Sequence, residues 1–190
     1  MNAIKKIAIR AYLISAGALF CLSIATAQES EAAAPLAGAR MVGQGTLRFL
    51  GFDVYRARLW AAPGFEAADY AAQPLALELT YYRSFTAEAI ARRSLEEMRR
   101  VGTFTPEQAA RWQQALQAAL PDVKSGDRLL GVYRPGTGAV FRMGGRVVGE
   151  VPDAEFARLF FGIWLSAQTS EPALRQALIA PPRSATGSPP

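Results

Sequence analysis

Residues 126–165 constrain this chain more than any other stretch. They read GDRLLGVYRPGTGAVFRMGGRVVGEVPDAEFARLFFGIWL. Three short apolar runs, at 128–134, 139–143 and 146–151, are parted by Pro135-Gly136-Thr137-Gly138 and then by Gly144-Gly145. A two-residue Gly-Gly link between β-type runs predicts a tight hairpin, because both glycines accept positive φ with no Cβ to clash. The runs therefore predict an antiparallel three-strand meander. Pro152 and Asp153 then suit a helix start, and Phe156, Leu159, Phe160, Ile163 and Trp164 recur at helical spacing. A helix this apolar must lie against a sheet, and the meander before it is the nearest one. The segment carries no evident catalytic group.

What the chain lacks excludes more chemistry than its motifs include. There is no histidine, and the single cysteine, Cys21, falls in an expected leader. Ser-His-Asp and Cys-His nucleophilic systems, His-ligated metals, thiolate zinc sites and disulfides are thereby ruled out for the mature chain. No metal and no cofactor is expected: Gly43-Gln44-Gly45 lacks the rest of a dinucleotide loop, and no P-loop or EF-hand pattern occurs. The formal net charge of +5 overstates the basicity, since Lys5, Lys6 and Arg10 belong to the leader. The remaining bases are scattered singly among acids and apolar residues, which does not describe a nucleic-acid surface. At 190 residues, 51% of them hydrophobic, the chain can bury one sizeable core.

In chain order, residues 1–27 read as a secretory signal: Lys5, Lys6 and Arg10, an apolar core at 11–24, and Ala25-Thr26-Ala27 as a small-x-small cleavage site. The apolar run is short of the roughly 20 residues a membrane span needs, so removal and a periplasmic location are expected, with no stable membrane anchor left behind. Residues 28–42 are expected as a linker. Strands follow at 46–50 and 52–60, parted by Gly51, and another at 75–82. In the second of these, Phe52, Val54, Arg56 and Arg58 are expected on one face, with Asp53, Tyr55, Ala57, Leu59 and Trp60 mostly on the other. A helix spans 86–100, with Ala87, Ile90, Ala91, Leu95 and Met98 as its apolar stripe. A second opens on Thr105, Pro106 and Gln108, a T-x-x-Q capping box, and ends at Pro121. A short helix closes the domain near Leu178, and residues 181–190 form a Pro/Ser/Gly tail expected to be disordered. One domain, 43–180, is predicted, of α+β class.

The strand pair with GFDVYRARLW, the helical pair, PDVKSGDRLLGVY, the G-x-VF-x-x-GG-x-x-G hairpin and FFGIWL-x-x-x-TS-x-P-x-LR-x-x-L together resemble the bacterial chalcone isomerase-like proteins, over residues 43–178. The resemblance implies an open-faced sandwich, an antiparallel sheet covered on one face by helices, with a ligand cleft between the layers. The scaffold hosts flavonoid-ring isomerases, fatty-acid-binding proteins and members without known activity, so fold alone does not name a function. The arginine that an isomerase of this family needs has its nearest positions at Gly45 and Thr46, with Arg48 as the adjacent base. The isomerase's tyrosine and asparagine fall near Ala87 and Ser94, which cannot donate as the originals do.

Arg48, Tyr55, Arg56, Tyr81, Tyr82 and Arg83 lie on the strands that would floor the cleft and are the candidate ligand-binding residues; catalytic residues are not assigned. Arg56 and Arg83 are the sharper candidates, because a base beside aromatics in an apolar cleft could hold a carboxylate headgroup. Alternation sets Tyr55 against Arg56 and Tyr82 against Arg83, so only one of each pair can line the same cleft. Phe156, Phe160, Phe161 and Trp164 are expected in the core. Two functions follow: a non-catalytic periplasmic binder of a fatty acid or similar small amphipathic ligand, or an isomerase (intramolecular lyase) acting on a chalcone-like or enone substrate. The absent histidine and the displaced arginine favour the binder.

Overall fold

The computed structural model describes residues 35–180. The expected leader at 1–27, the first part of the linker and the tail at 181–190 lie outside the described residues. Six strands, β1 (Arg40–Phe49), β2 (Phe52–Ala61), β3 (Leu75–Tyr81), β4 (Arg128–Arg134), β5 (Gly138–Met143) and β6 (Arg146–Val151), form one sheet in the order β1-β2-β3-β4-β5-β6. Every neighbouring pair is antiparallel. The helices are α1 (Ala87–Val101) and α2 (Pro106–Ala119), inserted between β3 and β4, then α3 (Ala154–Leu165) and α4 (Pro172–Ile179). No helix among the described residues is long and apolar enough to cross a membrane.

The meander and its helix form as residues 126–165 require. Gly144 and Gly145 take φ of +57° and +79° and turn β5 into β6. Asp153 caps α3 by accepting the Phe156 N–H at 2.9 Å, and its other oxygen accepts Trp112 Nε1–H of α2 at 2.8 Å. One carboxylate thus starts α3 and ties it to α2. The buried side of α3 is aromatic: Phe160 meets Phe141 of β5 edge-on at 5.5 Å, and Phe161 meets Tyr133 of β4 at 5.2 Å. Phe156 and Phe161 are fully buried, each contributing roughly 1.5–3 kcal/mol of transfer free energy. The capping box of α2 is complete, with Thr105 and Gln108 bonded reciprocally. The helices all pack on one face: α3 on β4 and β5, α4 on β1 and β2, α2 against β6, and α1 on α2 and α3.

Two expectations are corrected. Arg40, Met41 and Val42, expected as linker, are already strand. The strand starts ahead of its apolar signal because Gly43 and Gly45 make room for α4. A Cβ on Gly43 would run into the Ala177 and Leu178 carbonyls, and one on Gly45 would lie 2.8 Å from Leu174 Cδ1. The second correction is to β2. Arg48 pairs with Asp53 while Leu47 pairs with Tyr55, so Val54 is an extra residue, a bulge that breaks the alternation. Val54 and Tyr55 consequently face the same cavity. Below the bulge the register is regular, with Ala57, Leu59 and Ala61 buried under the helices. Trp60 turns the other way, joining Ala76, Val132 and Val140 in a small apolar cluster on the opposite face.

Candidate functional site

A cavity of about 570 Å³ lies between the β1–β3 side of the sheet and the helices, within the usual range of roughly 300–1,000 Å³ for small-molecule sites. Leu47, Val54, Tyr55, Leu79 and Tyr81 floor it; Ile90, Ser94 and Glu97 of α1 and Phe160, Ile163 and Trp164 of α3 cover it. It opens beside the β1–β2 turn, where Phe49, Leu50, Phe52 and Arg83 form the rim. Leu50 holds φ of +49° in that turn, a left-handed conformation costing an ordinary residue about 1–2 kcal/mol.

Few polar groups interrupt the apolar wall. Trp164 Nε1–H donates to the Tyr55 hydroxyl oxygen at 3.0 Å, leaving the Tyr55 proton without an acceptor among the described residues. The Tyr81 ring stands edge-on to Tyr55, centroids 6.0 Å apart. Burial pushes both hydroxyls well above the ordinary phenol range: Tyr55 rises although the Trp164 bond acts in the opposite sense, and neighbouring Tyr55 adds to the rise at Tyr81. Both are therefore neutral hydrogen-bond donors at physiological pH. On the helical wall, Glu97 is buried and accepts Ser170 Oγ–H at 2.6 Å. Its other oxygen lies 2.5 Å from Arg93 Nη2, an ion pair without good hydrogen-bond alignment, and Arg100 approaches at 3.4 Å. Arg93 and Glu97 thus neutralise one another. Arg83 differs: its guanidinium lies 4.6 Å from the Phe52 ring centroid, and it has no carboxylate partner among the described residues.

Of the six candidate residues, Tyr55, Tyr81 and Arg83 line the cavity and Arg48, Arg56 and Tyr82 do not. Arg48 donates from Nε to Asp53 at 2.7 Å on the outside of the hairpin. Arg56 pairs with Thr80 on the opposite face of the sheet, where its Nε is buried without a partner. Tyr82 follows Tyr81 and therefore points away from it, 40% exposed. The two arginines offered for a headgroup are separated by the same alternation, leaving Arg83. Trp164 was expected in the core and also presents its N–H to the site. Glu97, Arg93 and Ser170 were not anticipated, and Ser94 was met only as the position nearest the isomerase's asparagine. Ser94 and Glu97 follow Ile90 at helical spacing, a signal present in the sequence but outweighed there by their polarity.

The arrangement can enclose an apolar chain, offer two phenolic donors to a polar group inside, and offer one unpaired cation at the rim. The isomerase positions near Gly45, Thr46, Arg48 and Ala87 are not in the lining, while Ser94 is. No curated protein matches the sequence. Among solved structures, a fatty-acid binding protein of Arabidopsis thaliana superposes with a TM-score of 0.58 at 13% identity, covering 76% of this chain and 88% of the plant chain. The sequence model of the chalcone isomerase-like family matches residues 29–180. With that match over most of its length and the open-faced α+β sandwich to accompany it, the chain belongs to the chalcone isomerase-like family.

Proposed function

We propose that this protein is a non-catalytic, exported binding protein that holds a fatty acid or a similar small amphipathic molecule in the sheet–helix cavity. The observation that carries the proposal is an apolar cavity of about 570 Å³ with an arginine at its rim that no carboxylate occupies. A carboxylate drawn inside would meet Glu97 and lose its hydration, at a cost of several kcal/mol. At the rim it meets Arg83 while still partly hydrated, and its chain runs inward past Leu47, Leu79 and Ile90. The structural similarity to a plant fatty-acid binding protein supports the ligand class. Against an isomerase, Glu97 is held by Ser170 and Arg93 and the tyrosines stay neutral, so that Glu171 is the one carboxylate of the lining without an ion-pair partner among the described residues.

Displacement of a fluorescent fatty acid tests the assignment. A charge-assisted hydrogen bond contributes about 1.5–3 kcal/mol, so Arg83→Met weakens binding about 10- to 150-fold. Arg56→Met, on the opposite face, leaves it unchanged. Chalcone cyclisation stays at the uncatalysed rate. Failure of the wild type to bind, or turnover of chalcone, defeats the proposal.

A further inference from the structure

The end of the sheet onto which the cavity opens gathers the exposed large apolar side chains of the described residues. Phe49, Leu50 and Phe52 stand 62%, 81% and 59% exposed around the β1–β2 turn. Tyr82 lies beside them, its N–H donating to the Val54 carbonyl at 2.9 Å. Val147 and Val148, also exposed, begin β6 at the same end. Packing does not account for the turn. Its left-handed position would cost a glycine or asparagine little, yet it carries Leu50 with an aromatic residue on either side of the Leu50-Gly51 pair. Strain held at such a place points to use rather than to folding.

Charge follows the apolar groups. The strand ends and connections there carry Arg48, Arg83, Lys124, Arg128, Arg142 and Arg146 against Asp53, Asp122 and Asp127. The three acids are already engaged, Asp53 by Arg48 at 2.7 Å, Asp122 by the Ala87 N–H at 2.8 Å and Asp127 by the Lys124 N–H at 2.9 Å. Arg83, Lys124, Arg128 and Arg146 are exposed and have no ion-pair partner among the described residues.

We propose that this end of the molecule docks on an anionic lipid bilayer, with Phe49 and Leu50 entering the interface and Arg83, Lys124 and Arg128 meeting headgroup phosphates. An aromatic and aliphatic tip among free bases has the chemistry of an interfacial anchor, apolar groups for the acyl boundary and cations for the phosphates. The tip is also the rim of the cavity, so docking turns the apolar opening toward hydrocarbon and lets a lipid-like ligand move without crossing water. A protein partner would leave that coincidence unexplained. Loading of the cavity rests on the binding function proposed above; docking rests on the surface alone.

Leu50→Trp in the full chain provides the probe. Its emission beyond that of the wild type is read against vesicles of equal parts phosphatidylcholine and phosphatidylglycerol, brominated along the acyl chains, and against brominated phosphatidylcholine alone. The expected result is quenching on the anionic vesicles and little on the neutral ones. Lys124→Gln with Arg128→Gln weakens vesicle affinity about 25-fold, at about fivefold for each base. Leu50→Asn keeps the turn and weakens it about tenfold. Absent quenching at position 50, equal quenching on neutral vesicles, or an affinity unmoved by removing the two bases overturns docking. Fatty-acid titration without vesicles separates the two claims: a chain that binds fatty acid yet shows no quenching overturns docking alone.

Discussion

Tyr55 and Tyr81 show how much one side chain's surroundings decide. Both stand in an apolar wall, and the loss of hydration holds their hydroxyls neutral well beyond the pH at which a free phenol ionises. In the unfolded chain they ionise near the ordinary value of 10.0. Above that pH the unfolded state binds fewer protons than the folded one, so stability falls as pH rises, by about 1.4 kcal/mol per pH unit for each such tyrosine. Below pH 10 their contribution is fully present. Urea unfolding followed from pH 9 to 11 is therefore expected to show an alkaline loss that is shallower in Tyr55→Phe and Tyr81→Phe; an unchanged slope would mean the hydroxyls are hydrated. The sequence showed that these tyrosines lie on strands beside arginines, and alternation correctly separated Tyr55 from Arg56. It could not show which face α1 and α3 would cover, which is why Arg56 stood as the equal of Arg83 and Tyr82 stood among the candidates. Glu97 escaped notice because a carboxylate reads as a solvated helix face. The approach of Ser170, remote in sequence, and of Arg93 and Arg100, near in sequence, makes its burial tolerable.

Elements with strong local signals form where their residues require. The β5–β6 hairpin is the firmest case, and it supports a quantitative prediction. Nothing lies within 4 Å of where a Cβ on Gly145 would sit, so a substitution there meets backbone strain and no clash. Gly145→Val forces a β-branched residue to φ near +79° and is expected to destabilise the fold by more than about 1 kcal/mol. With an m-value of roughly 1–3 kcal/mol per M, the urea midpoint drops by about 0.3–1 M or more. The start of β1 was illegible for the opposite reason. Gly43 and Gly45 are chosen by the passing α4, a contact made with residues far along the chain, and they erase the alternation by which a strand is recognised. The bulge at Val54 was likewise invisible, since an extra residue looks like any other until its partner strand is known.

At the scale of the whole molecule, the leader and the ligand make separate predictions. Export is proposed from Lys5, Lys6, Arg10 and the Ala25-Thr26-Ala27 site. Sequencing the protein made in a Gram-negative host is expected to give Gln28 as the first residue, and Met1 retained in the membrane fraction would contradict it. The ligand prediction concerns the fold's stability. The cavity splits the core: below the bulge of β2 Ala57, Leu59 and Ala61 are buried under the helices, whereas above it the cavity lies between sheet and helices. A fatty acid that binds only the folded chain, present at 100 times its dissociation constant, adds about 2.7 kcal/mol of stability. For a domain of this size about 2–4 °C accompanies each kcal/mol, so the melting temperature rises by roughly 5–11 °C. If Arg83→Met weakens affinity 10- to 150-fold, as its role at the rim requires, the same ligand concentration adds only about 0.3–1.4 kcal/mol. The expected shift then shrinks to roughly 1–6 °C, while ligand-free Arg83→Met melts close to the wild type because an exposed arginine supports little of the core. Differential scanning calorimetry of both proteins, with and without fatty acid, checks the pair of values. A wild-type shift that Arg83→Met reproduces in full would keep the cavity as the binding site and move the headgroup inward to the Tyr55 and Tyr81 hydroxyls.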